Sequence, residues 1–261
     1  MQRHLRGLIF LLMVMAFLPG CAKSSSQLSA AAAAEDKTPI GNERSRINSN
    51  NTANPPIECP LRKQGINPHD LKPFADTEKY ITFLERSDRA AWQKPDAVIQ
   101  ELHLSEGEAI ADVGAGSGYF TFRFARAVPK GIVYAIDIEP EMLRHIHHKA
   151  MTEGFRNIAV IKSTPGDPAI PAGVDLVFVC DVLHHVKEPE AWLKKLSAQM
   201  KKGSRLAVIE FKEGDLPEGP PAVVKIPKKK LIEMIAENNF KLDRDKPDIL
   251  PYQTFLIFVK T

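Results

Sequence analysis

Short apolar runs alternate with longer amphipathic stretches from about residue 74 onward. The apolar runs predict strands near 108–113, 131–137, 157–162, 174–180 and 205–211. The stretches between them predict helices near 118–128, 140–153, 188–201 and 228–238. Two helical stretches, near 77–92 and 95–103, precede the first strand, and strand character returns at 240–244 and 252–259. Strands interleaved with helices predict an α/β fold, in which a parallel sheet is covered on both faces.

The first sixty residues have a different pattern. Arg3, His4 and Arg6 precede an apolar run from Leu8 to Leu18, which is too short to span a bilayer and is typical of an export signal. Leu18-Pro-Gly-Cys21 resembles a bacterial lipobox, and this resemblance implies that residues 1–20 are removed and that Cys21 is lipidated. An ordinary signal peptide and an uncleaved anchor are the alternatives.

The segment after Cys21 is rich in serine, alanine, asparagine and proline, with almost no large apolar residues. It buries too little surface to offset the entropy of ordering, so residues 21–64 are predicted to be a disordered tether. Residues 65–261 are then one domain, with a helical cover over 65–104. The cover contains an unusual number of aromatic residues, which are Phe74, Tyr80, Phe83 and Trp92.

The first strand runs into a glycine-rich turn. Gly114, Gly116 and Gly118 lack the Cβ atoms that keep a ligand away from the backbone, and the next helix offers free amides and a positive dipole end. Tyr119 stands where a dinucleotide motif needs its third glycine, and no Gly-Lys-Ser/Thr follows, which excludes a P-loop. The turn therefore predicts a bound ligand; the spacing weakens the case for NAD, and a nucleoside triphosphate held by a P-loop is excluded.

An acid ends the second strand. Asp137 follows the glycines by about 20 residues, at the position from which a carboxylate binds ribose hydroxyls. Alternatively, Asp137 only caps the helix that begins near Glu139. Its pairing with the glycine turn favours ribose binding.

Taken in order, these segments resemble the class I S-adenosylmethionine (SAM) dependent methyltransferases. Ala109–Phe120 is similar to motif I, and Val174–Asp181 with Val182-Leu-His-His185 is similar to the segment that lines the methyl pocket. The resemblance covers about 74–261 and implies a Rossmann-like, seven-stranded, mostly parallel sheet with an antiparallel C-terminal strand. It implies SAM as the cofactor. The SAM-binding residues that it implies are Asp112, Gly114, Ala115, Gly116, Gly118, Asp137, Ile138 and Asp181.

The resemblance also implies in-line attack by an acceptor on the methyl group of SAM, with His184 or His185 as candidate catalytic residues. Each histidine has a structural alternative, a hydrogen bond to a loop carbonyl. The acid that holds adenine in the family has no clear match here, which leaves that role to Thr164 or Asp167. No metal site is expected, because the chain has no Cys-x-x-Cys pair.

The charge pattern bears on the acceptor. A formal net charge of +3 is mild, and the basic residues are scattered apart from 225–230. Nucleic acid is therefore not expected as a partner, and the aromatic cover favours a small-molecule or lipid-like acceptor. The location predicted is the cell envelope of a bacterium, facing the periplasm and bound to the membrane through Cys21.

Export conflicts with a cofactor that is made in the cytoplasm, so three interpretations stay open. The chain is an enzyme anchored at the envelope, a non-catalytic envelope protein that binds SAM or a related nucleoside through this fold, or a scaffold with a vestigial pocket. The intact glycines and Asp137 disfavour the third.

Overall fold

The structure is a computed structural model that describes residues 74–261, with side chains described from residue 77. The predicted signal peptide (1–20), Cys21 and the tether (21–64) lie outside the described residues, as do residues 65–73 of the predicted cover. Within the described part, no helix is long and apolar enough to cross a membrane.

Three helices precede the sheet: α1 (Phe74–Leu84), α2 (Arg89–Gln93) and α3 (Pro95–Glu101). The strands are β1 (Ala109–Val113), β2 (Ile132–Asp137), β3 (Ile158–Lys162), β4 (Leu176–Cys180), β5 (Arg205–Phe211), β6 (Phe240–Asp245) and β7 (Gln253–Lys260). Between them lie α4 (Thr121–Ala127), α5 (Pro140–Glu153), α6 (Pro189–Gln199) and α7 (Lys228–Ala236). Short 3-10 helices span Leu183–His185 and Ala222–Val224.

The seven strands form one sheet in the order β3-β2-β1-β4-β5-β7-β6. Neighbouring strands from β3 to β5 are parallel, whereas β7 is antiparallel to both β5 and β6. This arrangement confirms the predicted fold class. The strand order reverses direction between β1 and β4, so the carboxyl ends of these strands border the crevice in which open α/β sheets bind their ligands.

Helices cover both faces of the sheet. Along β4, Leu176 and Phe178 face the side of α3 and α4, whereas Val177 and Val179 face the side of α6 and α7. All four side chains are buried, which explains why β4 is an unbroken apolar run rather than an alternating one. At about 1.5–3 kcal/mol for each large apolar side chain, this burial fixes the strand ends that carry the site.

The cover departs from the sequence-based prediction in one respect. The single helix predicted near 77–92 is two helices, α1 and α2, with a break at residues 85–88. Arg89 explains the break, because its Nη1 donates to the carbonyl of Leu84 at 2.6 Å and so binds a carbonyl at the end of α1. Arg86 pairs with Asp88 within the break at 3.0 Å. The break turns α2 across the carboxyl edge of the sheet.

Candidate functional site

The glycine turn lies between β1 and α4. Gly114, Gly116 and Gly118 have φ angles of +72°, +54° and +84°, a conformation that costs residues with a Cβ roughly 1–2 kcal/mol. The amides of Gly114 and Ala115 both donate to the carbonyl of Ile136, at 2.8 and 3.0 Å. The turn is thereby fixed against the end of β2, which brings the two predicted halves of the donor site together.

Asp112 points into the turn from the end of β1. Its carboxylate accepts the hydroxyl hydrogen bond of Thr121 at 2.6 Å, which ties β1 to the start of α4. The residue is 3% exposed, and burial raises the pKa of Asp112 to about 7. The same turn contains Ser117, whose hydroxyl is buried and has no partner among the described residues.

Asp137 lies directly beside the turn. One carboxylate oxygen accepts the amide of Gly116 at 2.8 Å, and the other accepts the amide of Glu139 at 2.9 Å. Burial raises the pKa of Asp137. Both interpretations of this acid therefore have a geometric basis, because it binds an amide at the start of α5 and also faces the glycines. Ile138, the next residue, is 46% exposed and offers an apolar surface beside the donor site.

The cover closes over this turn. A Cβ on Gly116 would lie 3.3 Å from Leu84, so the end of α1 sits directly above the middle glycine. Glu85 then pairs with Lys149 of α5 at 3.0 Å and with His145 at 3.7 Å. Hydrogen bonding to His145 and Lys149 lowers the pKa of Glu85 to about 2. In the described part of the chain, the end of α1 thus lies over the glycine turn and is joined to α5 through Glu85.

Arg89 is a site residue that the sequence reasoning missed. Its guanidinium stacks over the Tyr119 ring at 4.0 Å and also bonds the amide oxygen of Gln93. The positive charge lowers the pKa of Asp112 and Asp181, opposing the larger effect of their burial. The sequence signal was available, since Arg89 belongs to the densely polar segment 88–95, but nothing in that segment indicates which residue faces inward.

Asp181 follows β4 in a left-handed backbone conformation, φ +59°, which is rare for a residue with a side chain. Gln253 donates to its two carboxylate oxygens at 2.7 and 2.8 Å, and Gln93 donates to one of them at 3.1 Å. Burial raises the pKa of Asp181 to about 6. The backbone strain is held by these two amides, one from the cover and one from β7.

The two histidines have different environments. His184 Nδ1 lies 2.7 Å from the carboxylate of Glu210, and both side chains are almost completely buried. Burial lowers the pKa of His184, but the hydrogen bond to Glu210 together with the negative charges of Glu210 and Asp181 outweighs it, and the net shift is upward. His185 is exposed, and partial desolvation lowers its pKa. Glu210 was missed in the sequence because the end of β5 lies outside every motif used there.

The adenine side of the site also differs from the prediction. Asp167 turns away, accepting bonds from Gln199 of α6 at 2.7 Å and from the amide of Ala169 at 2.9 Å. Thr164 pairs with Asp167 through the backbone in a tight turn. Ser163 lies nearer to the donor site, because its amide donates to the carbonyl of Asp137 at 2.9 Å.

The fold and this site together define the class of protein. The methyltransferase domain family matches residues 104–249, which is more than half of the chain, so the chain belongs to that family. Its fold is that of the class I SAM-dependent methyltransferases, and SAM is the cofactor.

Several relatives are more specific. The chain is 32% identical over 136 residues to the demethylmenaquinone methyltransferase of Tropheryma whipplei, covering 52% of this chain and 53% of that protein. It is 31% identical over 160 residues to the tRNA U34 carboxymethyltransferase of Marinobacter nauticus, covering 60% and 46%. The chain therefore spans about half of the length of these curated relatives.

Solved structures extend the comparison. A SAM dependent methyltransferase from Aquifex aeolicus superposes with a TM-score of 0.65 at 26% identity, covering 70% of this chain and 98% of that chain. The magnesium protoporphyrin IX methyltransferase from Synechocystis PCC 6803 with bound SAH superposes with a TM-score of 0.56 at 19% identity, covering 72% and 94%. The second likeness is one of fold alone.

The residues present fit SAM. The positive φ angles keep side chains off the inner face of the turn, and the buried, unpartnered hydroxyl of Ser117 offers a polar contact beside it. Asp137 has carboxylate lone pairs beyond the two that its amide bonds use. Ile138 supplies an apolar surface next to that acid. The donor side is thus suited to a ribose that carries a flat aromatic base, with the face of the base against an apolar side chain.

Proposed function

We propose that the chain transfers a methyl group from SAM to a small-molecule or lipid-like acceptor, with His184 as general base. The observation that carries the proposal is the buried pair of Glu210 and His184, at 2.7 Å, on the two strand ends next to Asp181. The same carboxylate accepts the amide of Leu183 at 2.7 Å, so it is fixed on both sides. A carboxylate held in this way sets the orientation and tautomer of the imidazole.

SAM supplies a methyl group that is already activated, so the protein contributes chiefly by alignment. Asp137 and the glycine turn would hold the donor, with Asp112, Ala115, Ile138 and Asp181 around it. His184 uses Nδ1 for Glu210, which leaves Nε2 to take a proton from the acceptor. Methyl transfer forms the bond from acceptor to methyl carbon and breaks the carbon–sulfur bond, releasing S-adenosylhomocysteine and leaving the proton on Nε2. His185, being exposed, is assigned no proton transfer.

Two relatives are named as a tRNA U34 carboxymethyltransferase and a demethylmenaquinone methyltransferase, and the exposed aromatic residues of the cover favour an acceptor of the second kind. The loop after β5 has mixed charge, with Glu213 and Asp215 beside Lys212 and with Glu218 paired to Arg86, and so does not form the basic groove that a phosphate backbone needs. The exposed large apolar residues of the cover are Tyr80 (53%) and Phe83 (56%), whose rings stack at 6.3 Å. An exposed aromatic surface beside a loop of mixed charge suits a compact or lipid-like molecule.

The test uses the purified full chain with SAM labelled in its methyl group, mixed separately with an aqueous metabolite extract, a membrane lipid extract and total RNA. Label should appear in a metabolite or lipid fraction with the native protein and should be lost with His184→Ala. His185→Ala is the matched control, and it should retain turnover. Label in RNA would overturn the proposed class of acceptor. Equal turnover by His184→Ala and His185→Ala would overturn the role of His184 as the base.

We further propose that the chain acts at the cell envelope, held by a lipid on Cys21. The support is the sequence alone, namely the basic start, the short apolar run and Leu18-Pro-Gly-Cys21. Cys21→Ser should release the protein from membranes without changing its SAM affinity. Retention of Cys21→Ser on membranes after a high-salt wash would indicate an uncleaved anchor instead.

A further inference from the structure

A cluster of polar and aromatic side chains lies at the ends of β5 and β7, next to Glu210 along β5 but on the sheet face that α3 and α4 cover. Trp92 packs against Phe211 and Tyr252, with ring centroids 5.8 and 6.4 Å apart. Phe211 and Gln253 are directly opposite each other in the antiparallel pair of β5 and β7. Directly opposed residues carry their side chains on the same face, about 4.5–5.5 Å apart at Cβ, so Gln253 lies next to the ring that Trp92 contacts.

Two buried polar atoms of this cluster have no hydrogen-bond partner among the described residues. The amide nitrogens of Gln93 and Gln253 both donate to Asp181, and the amide oxygen of Gln93 accepts from Arg89. Gln253 Oε1 and Trp92 Nε1 are buried and have no partner within the described part of the chain. Each unpaired buried group costs roughly 1–3 kcal/mol, and such groups in a native site commonly have a ligand as their partner.

The orientation of Gln253 is fixed by chemistry. Rotating its amide by half a turn would place Oε1 against the carboxylate of Asp181, where two acceptors would repel each other. Oε1 therefore remains an acceptor that points away from Asp181. Trp92 Nε1 can only donate. The cluster thus carries one unpaired donor, on Trp92, and one unpaired acceptor, on Gln253, and both residues adjoin Phe211.

Resting on the proposed function, we propose that Trp92 and Gln253 form the subsite for the acceptor's polar head, and that this head is a neutral hydroxyl on a flat, apolar ring. A hydroxyl oxygen accepts from Nε1 while its hydrogen donates to Oε1, so one group satisfies both atoms. A carboxylate has no hydrogen for Oε1, and an ammonium has no lone pair for Nε1. Asp181 and Glu210 nearby also disfavour an anionic head.

The proposed subsite lies next to residues that are partly exposed to solvent. Tyr252 and Asp181 each keep part of their surface exposed, although Gln253 is fully buried. Arg86 lies over the Trp92 ring at 5.5 Å and pairs with Glu218 from the loop after β5. This ion pair joins the cover to the loop after β5 beside the aromatic cluster.

The chain's two tryptophans, Trp92 and Trp192, provide the experiment. A nitrogen-15 spectrum of the full chain should show two indole signals, and the signal that disappears in Trp92→Phe is that of Trp92. Phenol, toluene, benzoate and benzylammonium are titrated in the presence of S-adenosylhomocysteine. Phenol should move the Trp92 signal and leave that of Trp192, which lies buried on α6, unchanged. Toluene should bind at least fivefold more weakly than phenol, and the two ions should not shift the signal.

Two variants test the contacts. Trp92→Phe keeps an aromatic ring without Nε1 and should weaken phenol binding about fivefold, the value of one hydrogen bond of ~1 kcal/mol. Gln253→Leu removes Oε1 together with the amide nitrogen that bonds Asp181, so it should weaken phenol binding at least as much. If Gln253→Leu fails to fold, Trp92→Phe alone decides. Equal binding of toluene and phenol, or unchanged phenol binding by Trp92→Phe, overturns this inference. Failure to bind S-adenosylhomocysteine overturns the proposed function instead, so the two failures are distinguishable.

Discussion

The two halves of the site are built in different ways. The donor half uses backbone amides, glycines and the acids Asp112 and Asp137; apart from Asp181, which borders both halves, its residues lie within 112–139, and its hydrogen bonds join neighbours in one β-α-β unit. The proposed acceptor half depends mainly on side chains, and its residues Gln93, Asp181, Glu210 and Gln253 come from four separate segments. Under the proposed function, the cofactor would be held by a local backbone motif, whereas the acceptor would contact residues that only the tertiary fold brings together.

This difference predicts that the acceptor half affects turnover most strongly. His184→Ala should lower turnover by roughly 10²–10⁴-fold, the usual contribution of a positioned general base, while leaving SAM affinity unchanged. Calorimetry with SAM and a methyl-transfer assay measure the two effects. If His184→Ala weakened SAM binding as well as turnover, the donor and acceptor halves would not function independently.

Glu210→Gln refines the same test through pH. Because Glu210 raises the pKa of His184, and because a base acts in its neutral form, activity should rise with pH through that pKa. Removing the charge should shift this rise to lower pH. An unshifted profile in a folded Glu210→Gln variant would mean that Glu210 serves only to bind the amide of Leu183.

The donor half should be most sensitive at its backbone. A Cβ on Gly114 would overlap a methyl group of Val182, at a φ of +72°. Gly114→Ala should therefore destabilise the fold by about 2–5 kcal/mol in urea unfolding, combining overpacking and backbone strain. Gly154→Ala is the control, since it has a φ of +78° with open space around it, and it should cost only the strain, about 1 kcal/mol.

Asp137 tests the side-chain component of the donor half. Asp137→Ala should weaken SAM binding by about 2–4 kcal/mol, because it removes charged hydrogen bonds to ribose. Asp167→Ala alters an acid in the loop after the neighbouring strand, where the side chain bonds Gln199, and it should leave affinity unchanged. If Asp167→Ala weakens binding as strongly as Asp137→Ala, the adenine role belongs to Asp167 after all.

The smallest expected effect concerns the ion pairs of Glu85 with His145 and Lys149, which join the cover to α5. The pKa of Glu85 is lowered to about 2, so its contribution to stability is complete above the unfolded value near 4.3 and is lost as pH falls toward 2. Glu85→Gln should cost about 0.5–1 kcal/mol near pH 6 and nothing near pH 2, measured by urea unfolding at each pH. A difference that persists at pH 2 would point to packing rather than charge.

The same contrast explains how far the sequence could be interpreted. The sheet, the glycine turn and Asp137 follow from local apolar runs and short spacings, so they could be predicted. Glu210 and Gln253 could not, because each is an ordinary polar residue at the end of a strand, and its role arises only when β5 and β7 pair. The break between α1 and α2 was missed for a related reason, since it depends on Arg89 reaching back to Leu84.

The position of β7 has a consequence for synthesis. This strand lies between β5 and β6, yet the chain between residues 212 and 252 must be made before it. Until residues 253–260 emerge from the ribosome, β5 presents an unpaired, apolar edge that invites pairing with other chains. A nascent chain halted in that interval should bind chaperones, whereas one extended past residue 260 should release them.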